Sequence, residues 1–533
     1  MVSLTPHSRM MPRYSRLSFW RIGAIGLCVV MLTPLIGLMA LSVANTSDLW
    51  EHLLRTVIPY QIGITLALTV GVALVTAIIG TLTAWLTTFY QFPGRRILGW
   101  ALILPLALPS YIGAYSYGDL LDYAGPIYPL WQSVFSALSY PQFKSLGGAI
   151  FLLGVVLYPY VYISARASFL QQSTGLIENA RLLGLAPYQC FFRIALPMAR
   201  PAILLGVLMA VMECLNDIGA VEYLGVQTLT MGVYTTWINR GSLPGAAQLS
   251  LLLLGFVIML VLIEYSIRKT GTFQSARLRN RKIKAFALSP SRQILALMIC
   301  LIPVIVGFII PVGQLMARAN WAEFSVQAGV TSLSLASAAA LITTLSGLFL
   351  AYRRRSAIPE GKDYLARVST LGYAIPGTVL AIGLLAISGV LSELSDGRLI
   401  LAGGLVGLIL AYVIRFLALA FGTLDDGFDR LPRAFDYAAR VLGRSRGGVF
   451  FSVHYALIRA PFMAAFILVF VDAMKELPAT LILRPFGIET LATTVYGYAS
   501  LEQIEHAAGP ALVIIAIGLL PIILLLRMME RGR

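Results

Sequence analysis

The sequence predicts an all-α polytopic membrane protein, with about twelve transmembrane helices arranged as two parallel six-helix repeats. Three observations carry that prediction. Of 533 residues, 58% are hydrophobic and only 12% charged, where a soluble domain has about 25% charged. The basic residues alternate in density from one inter-span segment to the next. The second half repeats motifs of the first at a fixed offset.

Apolar runs of about 20 residues mark spans. In the first half they fall at 22–43, 62–89, 97–117, 146–165, 202–221 and 246–267. In the second they fall at 294–316, 330–352, 368–390, 399–421, 462–483 and 507–526. The first run is long enough to span and is followed by no small-residue cleavage pattern, so it is expected to be retained as a helix rather than removed as a signal peptide.

With the N-terminus placed in the cytoplasm, 32 of the 40 Lys and Arg residues lie in inside segments. Six lie outside, and Arg415 and Lys475 fall within or at the ends of spans. This is the positive-inside distribution, and it accounts for the net charge of +16 without nucleic acid. A nucleic-acid patch would not alternate. Both termini are expected in the cytoplasm.

The tract 268–292 is the only long charged linker, separating a first repeat at 1–267 from a second at 293–533. At an offset of 259, "ARLLG" (180–184) meets "ARVLG" (439–443), Glu213 meets Asp472 and Asp217 meets Glu476. "LTMGVY" (229–234) meets "LATTVY" (491–496), and Pro109 meets Pro376. Six crossings per half bring both halves in from the same side, so the repeats are parallel rather than inverted.

Each half carries a polar insert before its fifth span: "IENARLLGLAPYQCFFRIALPMARPAI" (177–203) and "FDYAARVLGRSRGGVFFSVHYALIRAPF" (435–462). The first reads as an amphipathic helix over 176–183, ended by Gly184 in a left-handed conformation, with Pro187 opening a second helix. Pro197 and Pro201 are expected to break the chain before the next span. A solvated linker has no reason to recur at the matching place with the same alanine, arginine and glycine positions.

The order Glu178-x-Ala180-x3-Gly184-x9-Ile194-x-Leu196-Pro197 resembles the cytoplasmic loop of binding-protein-dependent ABC importer permeases. The resemblance covers nearly the whole chain, as two fused permease domains, and implies the MetI-like type I importer fold. It implies that the inserts are coupling helices docking on two copies of an ATPase subunit. Ala180 and Gly184 would be the small residues allowing close approach, with Glu178 and Arg181 as polar contacts. In the second insert, Ala438, Ala439, Arg440 and Gly443 match, Tyr437 replaces the glutamate with Asp436 before it, and the Ile-x-Leu-Pro end is absent. The chain has no Gly-x4-Gly-Lys-Ser/Thr phosphate loop, so ATP and magnesium are expected on the separate ATPase, with no cofactor bound by this chain.

Charges inside spans are functional candidates. Glu213, Asn216 and Asp217 in the fifth run, and Asp472, Lys475 and Glu476 in the eleventh, are expected to face a translocation pathway; for Lys475, simple neutralisation of Asp472 or Glu476 is an equal reading. "LPLALPSYIGAYSYGDLLDYAGP" (104–126) and "MECLNDIGAVEYLGVQTLTMGVYTTW" (212–237) resemble the fused permeases of ferric-iron uptake, implying a periplasmic ferric-binding protein as partner. Thiamine or polyamine importers and an ion-coupled secondary transporter are the alternatives. Tyr111, Tyr115 and Tyr117 read as an interfacial aromatic belt rather than iron ligands. Segment 119–145 is the longest outside loop and the first expectation for binding-protein contact. The four histidines are scattered without His-x3-His spacing and the four cysteines are unpaired in pattern, so neither a catalytic metal site nor a disulfide framework is expected.

Overall fold

The computed structural model describes residues 19–44, 50–51, 53–135, 138–172, 179–270, 285–357, 364–396 and 404–523. Glu178 and most of the linker lie outside the described residues, as does the start of the expected 176–183 helix. Eleven helices are long and apolar enough to cross a membrane, or twelve if one sharply bent pair forms a single span. Intrahelical bonding is the way a single segment satisfies its backbone in lipid.

In the first half, α1 is Phe19–Ser42, α2 Ile58–Phe89, α3 Arg95–Ala101, α4 Ser110–Leu121 and α5 Leu146–Gln171. Then come α6 Leu196–Asn216, α7 Ile218–Tyr223, α8 Leu229–Ile238 and α9 Leu243–Thr270. The second half has α10 Pro290–Val304, α11 Ile310–Arg318, α12 Val326–Ala357, α13 Tyr364–Ser369, α14 Gly377–Leu394 and α15 Leu405–Asp429. It ends with α16 Ala434–Val441, α17 Tyr455–Met474, α18 Pro478–Leu483, α19 Leu491–Ser500 and α20 Ile504–Gly518. Outward faces are apolar: along α2, Leu66, Val70, Leu74 and Ile78 are exposed at every fourth residue, while Leu68 and Val72 are buried. Such a stripe suits lipid rather than water.

Four expected spans are not straight helices. The third bends by 91° between the helical stretches Arg95–Ala107 and Ser110–Leu121, and the ninth breaks before α14. Pro109 and Pro376 stand at the N-caps of α4 and α14, where a residue without an N–H costs the helix no bond. The fifth run stops at Asn216 and the eleventh at Met474, each followed by a short new helix. An apolar average conceals these stops, because the residues that end each helix occupy only three or four positions.

Pro197 and Pro201 do not break the chain as expected. The backbone is helical from Pro187 to Asn216, with a π-helical turn at Phe191–Ala195. Pro197 sits at the start of α6 and Pro201 inside it; the wider turn just before them absorbs the mismatch that a missing N–H creates. The second insert has the matching π-turn at Phe450–His454.

Packing crosses the sequence boundary between the repeats. α1, from the first half, lies against α13 and α14 of the second. A Cβ on Gly37 would come within 2.3 Å of the Gly383 carbonyl oxygen, and one on Gly383 within 2.3 Å of Pro34 O, so this helix crossing needs glycine on both sides. Reciprocally, α11 lies against α4: the Ser116 hydroxyl donates to Pro311 O (2.9 Å), and Arg318 pairs with Asp119 at 2.9 Å. A short parallel pairing of Tyr90–Gln91 with Phe286–Ala287 ties the end of the linker to the first half.

Candidate functional site

The four helix breaks meet at one place. A cavity of about 130 Å³ is lined by Pro109 and Ser110, Asn216 and Asp217, Ile375 and Pro376, and Lys475 and Glu476, so each half contributes two breaks. Its wall is completed by Tyr160, Met212, Glu213, Tyr373, Arg415 and Asp472. This volume admits several waters or a small ion. The six residues expected to face a translocation pathway, Glu213, Asn216, Asp217, Asp472, Lys475 and Glu476, all line this cavity.

The six expected pathway residues divide sharply by what they bond. Asp217 accepts the N–H of Ala220 at 2.9 Å and the hydroxyl of Ser110, which caps α7. Glu476 accepts the N–H groups of Ala479 (3.1 Å) and Thr480 (3.2 Å) and the Thr480 hydroxyl (2.9 Å), which caps α18. These two repeat-related carboxylates satisfy orphan N–H groups at helix starts. Asn216 Oδ1 accepts from Gly377 N–H at 2.8 Å and from Arg415 at 3.0 Å, tying the first half to the second. Arg415 also lies 3.5 Å from Glu476.

Asp472 and Lys475 pair at 2.9 Å, which matches the neutralising reading of Lys475. Glu213 is different: among the described residues it has no hydrogen-bond or ion-pair partner. Ser110, Tyr160, Tyr373 and Arg415 were not reached from the sequence. Only Arg415 left a signal there, as a lone cation within an apolar run. No group of three or more His, Cys, Asp or Glu side chains that could hold a metal ion occurs among the described residues.

The tyrosines at 111, 115 and 117 do not form an interfacial belt. All three are buried, with Tyr115 edge-on to Tyr111 (6.0 Å) and Tyr223 (4.8 Å), and Tyr117 donating to Val306 O at 2.5 Å. They point inward because the bend before α4 turns this segment into the protein.

The two inserts end alike. Gly184 has φ +87° and Gly443 φ +79°. Leu185 N–H bonds to Ala180 O (3.1 Å) and Gly184 N–H to Arg181 O (3.0 Å). Arg444 N–H bonds to Ala439 O (3.0 Å) and Gly443 N–H to Arg440 O (2.9 Å). Both are Schellman endings; the left-handed glycine predicted at Gly184 recurs at its repeat mate Gly443.

What the inserts present outward differs from the expectation. Ala180 and Ala439 are buried at 6% and 7% exposure, so their small size serves the chain's own packing. Asp436 is also buried, held by Arg355 at 2.9 Å and His454 at 2.5 Å, and is not available to a partner. Arg181 lies over the Phe286 ring at 4.3 Å, while Ala438 and Arg440 are exposed. The most exposed apolar residues of the inserts are repeat-related: Leu182 (84%) and Leu183 (84%) in one, Val441 (87%) and Leu442 (81%) in the other. Periodicity marks these residues as apolar without saying that they face outward.

A profile of the binding-protein-dependent transport system inner membrane component matches residues 77–272 and again 344–531. The chain belongs to that family. It is a multi-pass inner-membrane transport subunit with two fused permease domains. It is 27% identical over 532 residues to the Fe(3+)-transport system permease protein FbpB 2 of Haemophilus influenzae, covering 97% of this chain and 99% of the relative. A probable ABC transporter permease protein of Sinorhizobium fredii, y4fN, is 24% identical over 413 residues, covering 72% of this chain and 71% of its own. The sulfate transport system permease protein CysT of Escherichia coli is 27% identical over 198 residues, which is 37% of this chain and 70% of that protein.

Because Asp217 caps α7, Asp217→Ala is expected to destabilise the permease by about 1 kcal/mol, and Asp217→Asn, an equally good cap, to leave it near wild type. Thermal unfolding of the detergent-solubilised protein checks this. Equal losses in both variants would mean that the charge matters beyond the cap.

Proposed function

We propose that this permease carries ferric iron from a periplasmic binding protein into the cytoplasm, driven by two copies of one ATPase. The observation that carries the reading is the similarity, over nearly the full length of both chains, to a ferric-iron transport permease. The acidic cavity between the halves supports a cationic cargo: the pairs Asp472–Lys475 and Glu476–Arg415 compensate each other, and Glu213 and Asp217 remain as excess negative charge. Carboxylate and phenol oxygens suit a hard cation.

Both termini and both inserts face the cytoplasm in this reading. Each insert seats one ATPase copy through its exposed apolar pair. The ATPase holds the ATP and magnesium; this chain binds no cofactor. Closure of the ATPase dimer draws the inserts together and opens the cavity outward, the binding protein releases its cargo there, and hydrolysis reverses the movement. The helix breaks give the two halves short segments that rotate without unwinding a whole span.

The test is uptake of radiolabelled ferric iron into cells lacking this chain, with its ATPase and binding protein present. Wild-type chain is expected to restore uptake. Failure at normal membrane level, with restored uptake of thiamine or a polyamine instead, would replace the cargo assignment.

A further inference from the structure

We propose that Arg355, Asp436 and His454 form a positioning cluster that seats the second insert rigidly, and that the described residues of the first insert form no counterpart, so the two inserts transmit motion unequally. The inference rests on the reading of the inserts as coupling elements. Arg355 stands near the C-terminal end of α12 with its side chain only 7% exposed. Its Nε donates to Asp436 Oδ2 at 2.9 Å. Its two terminal nitrogens donate to Phe428 O, to Leu431 O at 3.1 Å and to Pro432 O at 3.3 Å. Phe428 O lies in the last turn of α15 and Leu431 O two residues beyond its end, where carbonyls have no i+4 helical N–H to accept from.

His454, in the π-turn that opens α17, meets the other carboxylate oxygen of Asp436 at 2.5 Å. Its ring packs on Tyr352 of α12 (5.6 Å) and Phe428 of α15 (5.4 Å). One carboxylate on α16 is thus fixed to α12 and α17, and through Arg355 to the end of α15. Beside it, Arg354 pairs with Asp425 and lies 3.5 Å from Asp429, adding a second tie between α12 and α15.

The first half lacks every member. At the offset of 259, Asp436 corresponds to Ile177 and His454 to Ala195; at the Pro109–Pro376 offset of 267, Arg355 corresponds to Thr88. Among the described residues, the first insert is held by Gln172 donating to Ala195 O at 3.0 Å, by burial of Ala180 in the apolar cluster that includes Cys190, and by Arg181 over Phe286. Two of these are apolar or stacking contacts, which permit sliding; a buried carboxylate with fixed donors on both oxygens does not.

Arg355→Met and Asp436→Asn each leave a buried group without its partner and are expected to lower the membrane level. The double variant removes both charges and is expected to recover that level. In the complex with ATPase and binding protein, stimulation of ATP hydrolysis by iron-loaded binding protein should nevertheless stay at least fivefold below wild type. In the full-length solubilised chain, amides of 434–441 should exchange at least tenfold more slowly than those of 179–183 in wild type, and equally fast in the double variant. Normal stimulation by the double variant, or equal exchange of the two inserts in wild type, overturns the proposal. A wild-type complex that binds ATPase but shows no stimulation by the iron-loaded protein counts against the cargo assignment alone, and hydrogen exchange then decides this inference by itself.

Discussion

Glu213→Gln is expected to lower ferric-iron uptake about thirtyfold at unchanged membrane level. Three of the four cavity carboxylates are engaged: Asp217 and Glu476 cap helices, and Asp472 holds Lys475. Glu213 is the one with no hydrogen-bond or ion-pair partner among the described residues, so its charge is the least neutralised of the four. For each unit of net positive charge carried by the cargo about 8 Å away, an effective dielectric of about 20 gives about 2 kcal/mol from one such carboxylate, which is roughly thirtyfold in occupancy. Glutamine keeps shape and volume and removes only the charge. Uptake of radiolabelled iron, normalised to the amount of permease in the membrane, reads the effect. Undiminished uptake would mean that cargo passes without using this carboxylate.

The second large effect is expected at the left-handed glycines. Gly184→Val forces a β-branched residue to φ near +87°, a conformation costing about 1–2 kcal/mol. The alternative is to undo the Schellman bonds that aim Leu182 and Leu183 outward. Space around the missing Cβ is open, with nothing within 4 Å, so backbone strain and not an internal clash is the cause. Gly184→Asn should retain most function, because asparagine tolerates this region. Gly184→Val should lose at least tenfold in uptake and in co-purified ATPase, with the permease still in the membrane. Gly443→Val should behave the same way at φ +79°. If valine and asparagine variants both transport normally, the endings are not part of the coupling surface. If both fail equally, side-chain size at the docking face and not φ is the relevant property.

Much of this protein was legible in its sequence for identifiable physical reasons. Burying a span in lipid demands some twenty apolar residues, and the asymmetry of basic residues follows membrane sidedness, so number and order of spans could be read directly. The glycine endings were legible because a left-handed residue after an amphipathic turn leaves few side chains to choose from. The repeat exposed Glu213 with Asp472 and Asp217 with Glu476 as matching pairs, and all four do line one cavity.

Composition and periodicity by themselves determined that the chain spans a membrane in two like-oriented halves, with a glycine-ended insert before each fifth span. Tertiary structure alone decided what each polar residue is for. Asp217 and Glu213 look equivalent at i and i+4, yet the helix stops between them, so one becomes a cap and the other faces the cavity. Asp436 looks like an outward polar contact, yet Arg355, 81 positions away in sequence, turns it inward. The crossing of α1 onto α14, and the convergence of four helix breaks, also depend on contacts between residues far apart in the chain. No local pattern encodes such contacts; they exist only once the helices have packed.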